Sequence, residues 1–269
     1  MLKRIIVAIL FIPLFTVTIF LENPIFYYCL VSIFLLLGLL EYHSMIKKAN
    51  IETFGWLNVL LFITVLYGML KFRIFNFNNL ILYGFLTTLV VYSILIAIFS
   101  LFKRDVESST MSIVFTIFGA FYLIILGSSL ILLRNLGVGK TFFLFLTVWI
   151  YDSGAYFIGS AFGQRKIMPI ISPNKSLEGL IGGVVISLII VTFLKYVTSI
   201  IPFDSLPYAF FVVIVVCLSA QVGDLLESLL KRFCGVKDSS NIISGHGGIL
   251  DKLDSFLLAT PVYLLLSTI

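Results

Sequence analysis

Residues 219–255 read SAQVGDLLESLLKRFCGVKDSSNIISGHGGILDKLDS, with five carboxylates, four cationic side chains, a histidine and a Gly-rich turn at the edge of an apolar stretch. Charge placed against a long apolar segment is costly and marks a functional site by default. Carboxylates beside lysines and a Gly-rich turn suit a metal ion and phosphates better than a proton path alone. Asp224, Glu227, Ser228 and Lys231 fall at i, i+3, i+4 and i+7, on one helical face. A solvated helix end with a Glu227–Lys231 ion pair accounts for two of them. It does less for Asp224, which follows the apolar run 210–220.

Gly245-His246-Gly247-Gly248 precedes Asp251, Lys252, Asp254 and Ser255. Glycines permit positive φ and close backbone approach, which suits a turn around an anionic ligand. Asp251 and Asp254 stand at i and i+3 where a helix begins, so a favourable first-turn carboxylate is the plainer reading of either alone. Together with Asp224 at the end of the preceding helix, Asp251 makes a candidate Mg²⁺ pair. Upstream, Asp152 sits inside Trp149-Ile150-Tyr151-Asp152-Ser153-Gly154-Ala155-Tyr156, roughly 18 Å along a helix from Lys140 at ~1.5 Å per residue. It reads equally as a site residue and as a hydrogen-bond acceptor between helices. Ala155, Gly159 and Gly163 form one small face, and Gly179, Gly182 and Gly183 another. Tight packing of those two helices fixes the intervening loop, with Lys175 as a candidate phosphate ligand and Ser176 as a candidate helix cap. His43 reads as polar surface at a loop edge beside Lys47-Lys48, and Pro261 as a kink.

The elements that position these residues follow from composition. The 269 residues are 60% hydrophobic and 12% charged, with a mean hydropathy of +1.15. No soluble domain of this length buries so much apolar surface, so the class is an all-α polytopic membrane protein. A spanning helix needs about 20 apolar residues. Nine candidates lie at 5–21, 24–40, 54–70, 79–102, 111–133, 141–162, 177–200, 206–228 and 253–269. The runs are too long for strands and lack period-2 alternation. Residues 1–21 resemble a signal peptide, but no small-residue cleavage site follows, so a retained first helix is expected. With the N-terminus inside, Lys3, Arg4, Lys47, Lys48, Lys103, Arg104, Arg165, Lys166, Lys175, Lys231, Arg232, Lys237 and Lys252 share the inner side, 13 of 18 Lys+Arg. That bias favours N-in, C-out and turns the polar loops 163–176 and 229–252 to the cytoplasm. The net charge of +5 reports this loop bias and anionic lipid, not nucleic acid. Cys29, Cys217 and Cys234 have neither metal-ligand spacing nor a disulfide pattern. Residues 1–140 read as scaffold and 141–269 as the catalytic region.

The stretch Ser228-x-x-Lys231-Arg232-x4-Lys237-Asp238 … His246-Gly247-Gly248-x-x-Asp251-x-x-Asp254 resembles the signature of the phosphatidate cytidylyltransferase (CDP-diacylglycerol synthase) family. Asp152-x-x-Ala155-Tyr156-x-x-Gly159 and Ser172-Pro173-x-Lys175-Ser176-x-Glu178-Gly179-x-x-Gly182-Gly183 are similar to further motifs of that family. The resemblance covers residues 149–255. Ser244 stands where the family usually has Pro or Gly, Lys252 where Arg is usual, and Leu177 where an aromatic is frequent. An ammonium at position 252 lacks the bidentate fork of a guanidinium.

The resemblance implies transfer of the cytidylyl group of CTP to phosphatidate, giving CDP-diacylglycerol and pyrophosphate with Mg²⁺, in a bacterial cytoplasmic membrane. Asp224, Asp251, Lys231 and His246 are its expected catalytic residues. Lys175, Ser176, Ser228, Arg232, Lys237, Asp238, Gly247, Gly248 and Lys252 are expected at the substrates. Asp224 and Asp251 are expected on the metal, with Asp152 and Asp254 as further candidates; a second metal ion and a homodimer stay open. The lipid phosphate is already ionised, so direct in-line attack on the α-phosphorus without a covalent nucleotidyl-enzyme is expected. A CTP-dependent lipid kinase and an ion or solute transporter are the alternatives; the second leaves the Gly-His-Gly-Gly turn unexplained.

Overall fold

The computed structural model describes residues 2–75, 79–103, 105–198, 201–242 and 247–267, with side chains except in 2–10, 72–75 and 79–85. Among the described residues the helices are α1 (Leu2–Phe20), α2 (Ile25–Lys48), α3 (Gly55–Phe75), α4 (Asn79–Leu101), α5 (Val106–Leu136), α6 (Val138–Phe162), α7 (Leu177–Val197), α8 (Leu206–Phe233) and α9 (Leu250–Ser267). Each overlaps one of the apolar runs read from the sequence. Five of them, α2, α5, α6, α7 and α8, are long and apolar enough to cross a membrane. Shorter apolar stretches lie within α1, α3 and α4, at Phe11–Phe20, Gly55–Lys71 and Leu86–Leu101.

The outward faces explain the composition. On α7, Ile181, Val185, Ile189 and Phe193 are exposed at successive i+4 positions, and on α8 Phe211, Ile214, Leu218 and Val222 form a second apolar stripe. Water would penalise such stripes by ~25 cal/mol per Å², whereas lipid tails accept them. The inverse holds for α9, the most enclosed helix, where Leu250, Leu257, Ala259, Thr260 and Tyr263 are fully buried. It packs against α8, α2, α5 and α6.

Loop 163–176 departs from the purely helical expectation. Strands β1 (Lys166–Met168) and β2 (Ser172–Ser176) form an antiparallel hairpin. A polar loop leaving a helix end must satisfy its backbone groups, and pairing with itself does so without any alternation of apolar residues. His43 is likewise no loop-edge residue: α2 continues to Lys48, and the half-buried imidazole bonds Thr53 Oγ1 at 2.6 Å and Asn58 Nδ2 at 3.1 Å. In α5, residues Ala120–Leu126 widen into a π-helical segment. Such insertions shift the register of a helix and recur at functional sites. This one carries Tyr122, fully buried, towards α8 and α9.

Candidate active site

The α6–α7 pair holds one wall of the site, and its small residues interlock as their spacing indicates. A Cβ on Gly179 would lie 2.9 Å from Ala155 O and 3.1 Å from Gly159 Cα. One on Gly183 would lie 2.9 Å from Tyr151 O. Ser176 caps α7, its Oγ accepting from Gly179 N at 3.2 Å. The Glu178 carboxylate accepts from Gln164 N and Arg165 N at 3.0 and 3.1 Å, closing the base of the hairpin. Lys175, on β2, is thereby fixed and forms an ion pair with Asp224 of α8.

About two turns along α8, Lys231 forms an ion pair with Glu227 and a 2.5 Å pair with Asp251 of α9. The Glu227–Lys231 pair is not solvated, because Glu227 is fully buried. Asp251 has both oxygens engaged. Its Oδ1 meets Lys231, while Oδ2 accepts from Gly248 N at 2.6 Å, Ser239 Oγ at 2.8 Å and Ser239 N at 3.1 Å. Gly247 has φ +79°, and a Cβ there would collide with that carboxylate, so the backbone approach requires glycine. Ser228 Oγ lies 3.4 Å from Asp224 Oδ1, a weak contact.

Asp152, Asp224 and Asp254 are electrostatic neighbours, each within range of another's charge. They line one cavity of about 630 Å³ together with Asp251, Lys252, Lys237 and Asp238. Much of the rest of its lining is apolar: Phe11 and Phe15 from α1, Phe34 from α2, and Phe145 and Trp149 from α6. Ring centroids are 5.1 Å apart for Phe15–Phe34 and 5.3 Å for Phe15–Phe145. Five lining carboxylates face two lining ammonium groups. Lys175 and Lys231 offset two of those carboxylates, Asp224 and Asp251, from outside the lining. Among the described residues, no group of three or more His, Cys, Asp or Glu is placed to hold a metal ion by itself. The donor chemistry present is that of the carboxylates Asp152, Asp224, Asp251 and Asp254 along one cavity, oxygen ligands of the kind a hard divalent cation takes.

Of the residues singled out in the sequence, Lys175 contacts Asp224, and separately Asp251 contacts Lys231 and Gly248, so that Lys175 and Lys231 are each paired to a cavity carboxylate. Arg232 is not among the residues lining the cavity and donates Nε–H to Ile171 O of the hairpin loop at 3.1 Å. His246, like Ser244, lies outside the described residues. One residue the sequence reading passed over is Glu41, 3% exposed, which accepts hydrogen bonds from Ser239, Ser240, Ile249 and Leu250. The argument applied to Asp152, a carboxylate inside an apolar run, applies to Glu41 as well. Its neighbours His43 and Lys47-Lys48 gave that stretch the look of a loop.

The description of a cytidylyltransferase family matches residues 2–269. The chain belongs to this cytidylyltransferase family. Similar curated proteins are the phosphatidate cytidylyltransferase of Bacillus subtilis (strain 168), 47% identical over 141 residues, covering 50% of this chain and 51% of the relative. Those of Staphylococcus saprophyticus (strain ATCC 15305) and Staphylococcus aureus (strain COL) are each 43% identical over 130 residues, covering 48% of this chain and 49% of the relative. The match thus spans about half the length of these curated relatives. Membership in the cytidylyltransferase family does not favour the lipid-kinase and transporter alternatives.

Proposed function

We propose that the protein transfers the cytidylyl group of CTP to phosphatidate, forming CDP-diacylglycerol and pyrophosphate. The observation that carries this reading is the single cavity lined both by aromatic side chains and by carboxylates and lysines. One substrate is a soluble polyanion and the other a membrane anion, and such a cavity offers each its own medium. The names of the similar bacterial proteins support the same reaction.

Asp224 and Asp251 are the proposed metal carboxylates, with Asp152 and Asp254 beside them, and Mg²⁺ is the proposed ion. Bound there, it would supply positive charge against the triphosphate and polarise the α-phosphoryl oxygens. Lys252 and Lys237 face the cavity and neutralise phosphate charge as it redistributes, while Lys175 and Lys231 set the carboxylates Asp224 and Asp251 in place. Ser176 and Glu178 keep the Lys175 strand still. The ionised lipid phosphate attacks in line, since no activated side-chain nucleophile is required. Residues 1–140 act as scaffold and 141–269 as the catalytic region, in a nine-span, N-in arrangement with the site facing the cytoplasm. The 13-to-5 bias of Lys and Arg supports that orientation.

The test is direct. Purified protein receives phosphatidate, Mg²⁺ and CTP labelled in cytidine; label is expected in the lipid phase. Label that stays in the aqueous phase overturns the reading. Removing divalent ions by chelation is expected to abolish both turnover and calorimetric CTP binding, with Mg²⁺ restoring both. An α-thio-substituted CTP is expected to react with inversion; retention would mean a covalent nucleotidyl-enzyme.

A further inference from the structure

Glu41 belongs to α2, yet its carboxylate ends among residues about 200 positions away. Ser239 Oγ lies 3.1 Å and Leu250 N 2.8 Å from Oε2. Ser240 Oγ lies 2.7 Å and Ile249 N 3.0 Å from Oε1. Each oxygen thus takes one backbone N–H and one hydroxyl. The N-terminal N–H groups of a helix have no partner within it, and here two at the start of α9 are satisfied by a residue of another helix. A Cβ on Gly248 would collide with Glu41 and with Ser239 Oγ, so this approach too is backbone-close.

We propose that Glu41 is a positioning residue for the reaction, setting Asp251 and Lys252 by holding the 249–250 backbone that leads into them and the 239–240 segment, whose Ser239 bonds Asp251. The inference rests on the cytidylyltransfer reading above. Ser239 makes the link concrete, because its hydroxyl sits between Glu41 Oε2 and Asp251 Oδ2 while its N–H goes to Asp251. A hydroxyl carries one proton and donates to one carboxylate at a time. Glu41 therefore shares the donor that helps fix the angle of Asp251. Two N–H groups, one per oxygen, demand two acceptors. A glutamine at 41 offers one, and its NH₂ would face a backbone N–H. The carboxylate is needed for its two acceptors, not for its volume.

The experiment compares the wild type with Glu41→Gln and Ser240→Ala in full-length protein. It measures kcat, the KM of each substrate, thermal unfolding, and hydrogen exchange at Ile249 and Leu250 without substrate. Glu41→Gln is expected to lower kcat at least ~10-fold, leave the phosphatidate KM within about twofold, and speed exchange at both amides. Ser240→Ala, which removes a single donor to Glu41, is expected to show a smaller effect in the same direction. A Glu41→Gln protein with near-wild-type kcat overturns the proposal. So does one whose kcat and phosphatidate KM worsen together with a lowered unfolding temperature, which is the pattern of general destabilisation. If the wild type itself moves no cytidine label, the reaction reading has failed, and exchange alone decides on Glu41: wild-type exchange rates in Glu41→Gln overturn its clamping role.

Discussion

At the scale of single residues, the site sets lysines on some of its carboxylates: Lys175 pairs with Asp224, and Lys231 with Asp251 and Glu227. Asp224 faces the cavity and pairs with Lys175. Asp224→Asn is expected to lower kcat by ~10²-fold or more while the protein still folds, measured by label transfer and thermal unfolding. Retention of substantial turnover at ordinary Mg²⁺ would remove Asp224 from the metal. Lys252 lines the same cavity. Lys252→Ala is expected to cost ~10-fold or more in kcat/KM, and Lys252→Arg little or nothing, since a guanidinium keeps the charge and adds a second donor. Equal small effects would make Lys252 an ordinary solvated lysine. Lys231 stands between Asp251 and the fully buried Glu227. Lys231→Met strands a buried charge and is expected to lower stability by about 3 kcal/mol as well as activity, which a denaturation midpoint would register.

At the scale of elements, the decisive contact is backbone on backbone between α6 and α7. Their glycines allow the hairpin that carries Lys175 to sit over Asp224. Gly183→Leu forces a side chain against Tyr151 and Ala155 and is expected to cost about 1–3 kcal/mol, with loss of activity disproportionate to the loss of folded protein. An unchanged melting temperature would show that the helices are not in that contact. The small faces were legible because Gly and Ala at helical spacing have few other uses in an apolar helix. The Ser176 cap was legible because a hydroxyl before an apolar run is a start signal. The hairpin was not, since its pairing is set by the Glu178 carboxylate gathering Gln164 N and Arg165 N rather than by side-chain alternation. Nor was the π segment in α5, which leaves no mark in a 3.6-residue pattern.

At the scale of the whole molecule, the apolar runs could be read from composition, but which helix lies inside could not. Hydropathy ranks α7 highest among the candidate spans, yet α7 is largely lipid-facing, and the enclosed helix is the charge-bearing α9. The reason is physical: a helix whose first turn carries Asp251, Lys252 and Asp254 needs partners that lipid cannot provide. Orientation is tested by single cysteines at Lys166, Ser240 and Asp204. The first two are expected to react only with a reagent on the cytoplasmic side and the third only from outside. Labelling of Ser240 from outside would invert the site.

The hydrogen bond from Leu250 N to Glu41 closes a gap of 209 residues. It therefore bears on the order in which the protein is made. α2 emerges from the ribosome and enters the membrane long before α9 exists, so for most of synthesis Glu41 has none of its four final donors. Because Asp251, Lys252 and Asp254 belong to the last helix, the lining of the cavity is incomplete until α9 has been made. A nascent chain that ends before Ser239 lacks all four donors that Glu41 meets in the finished protein, so the same carboxylate that clamps the end of the chain is a polar group without its protein partners until that end arrives.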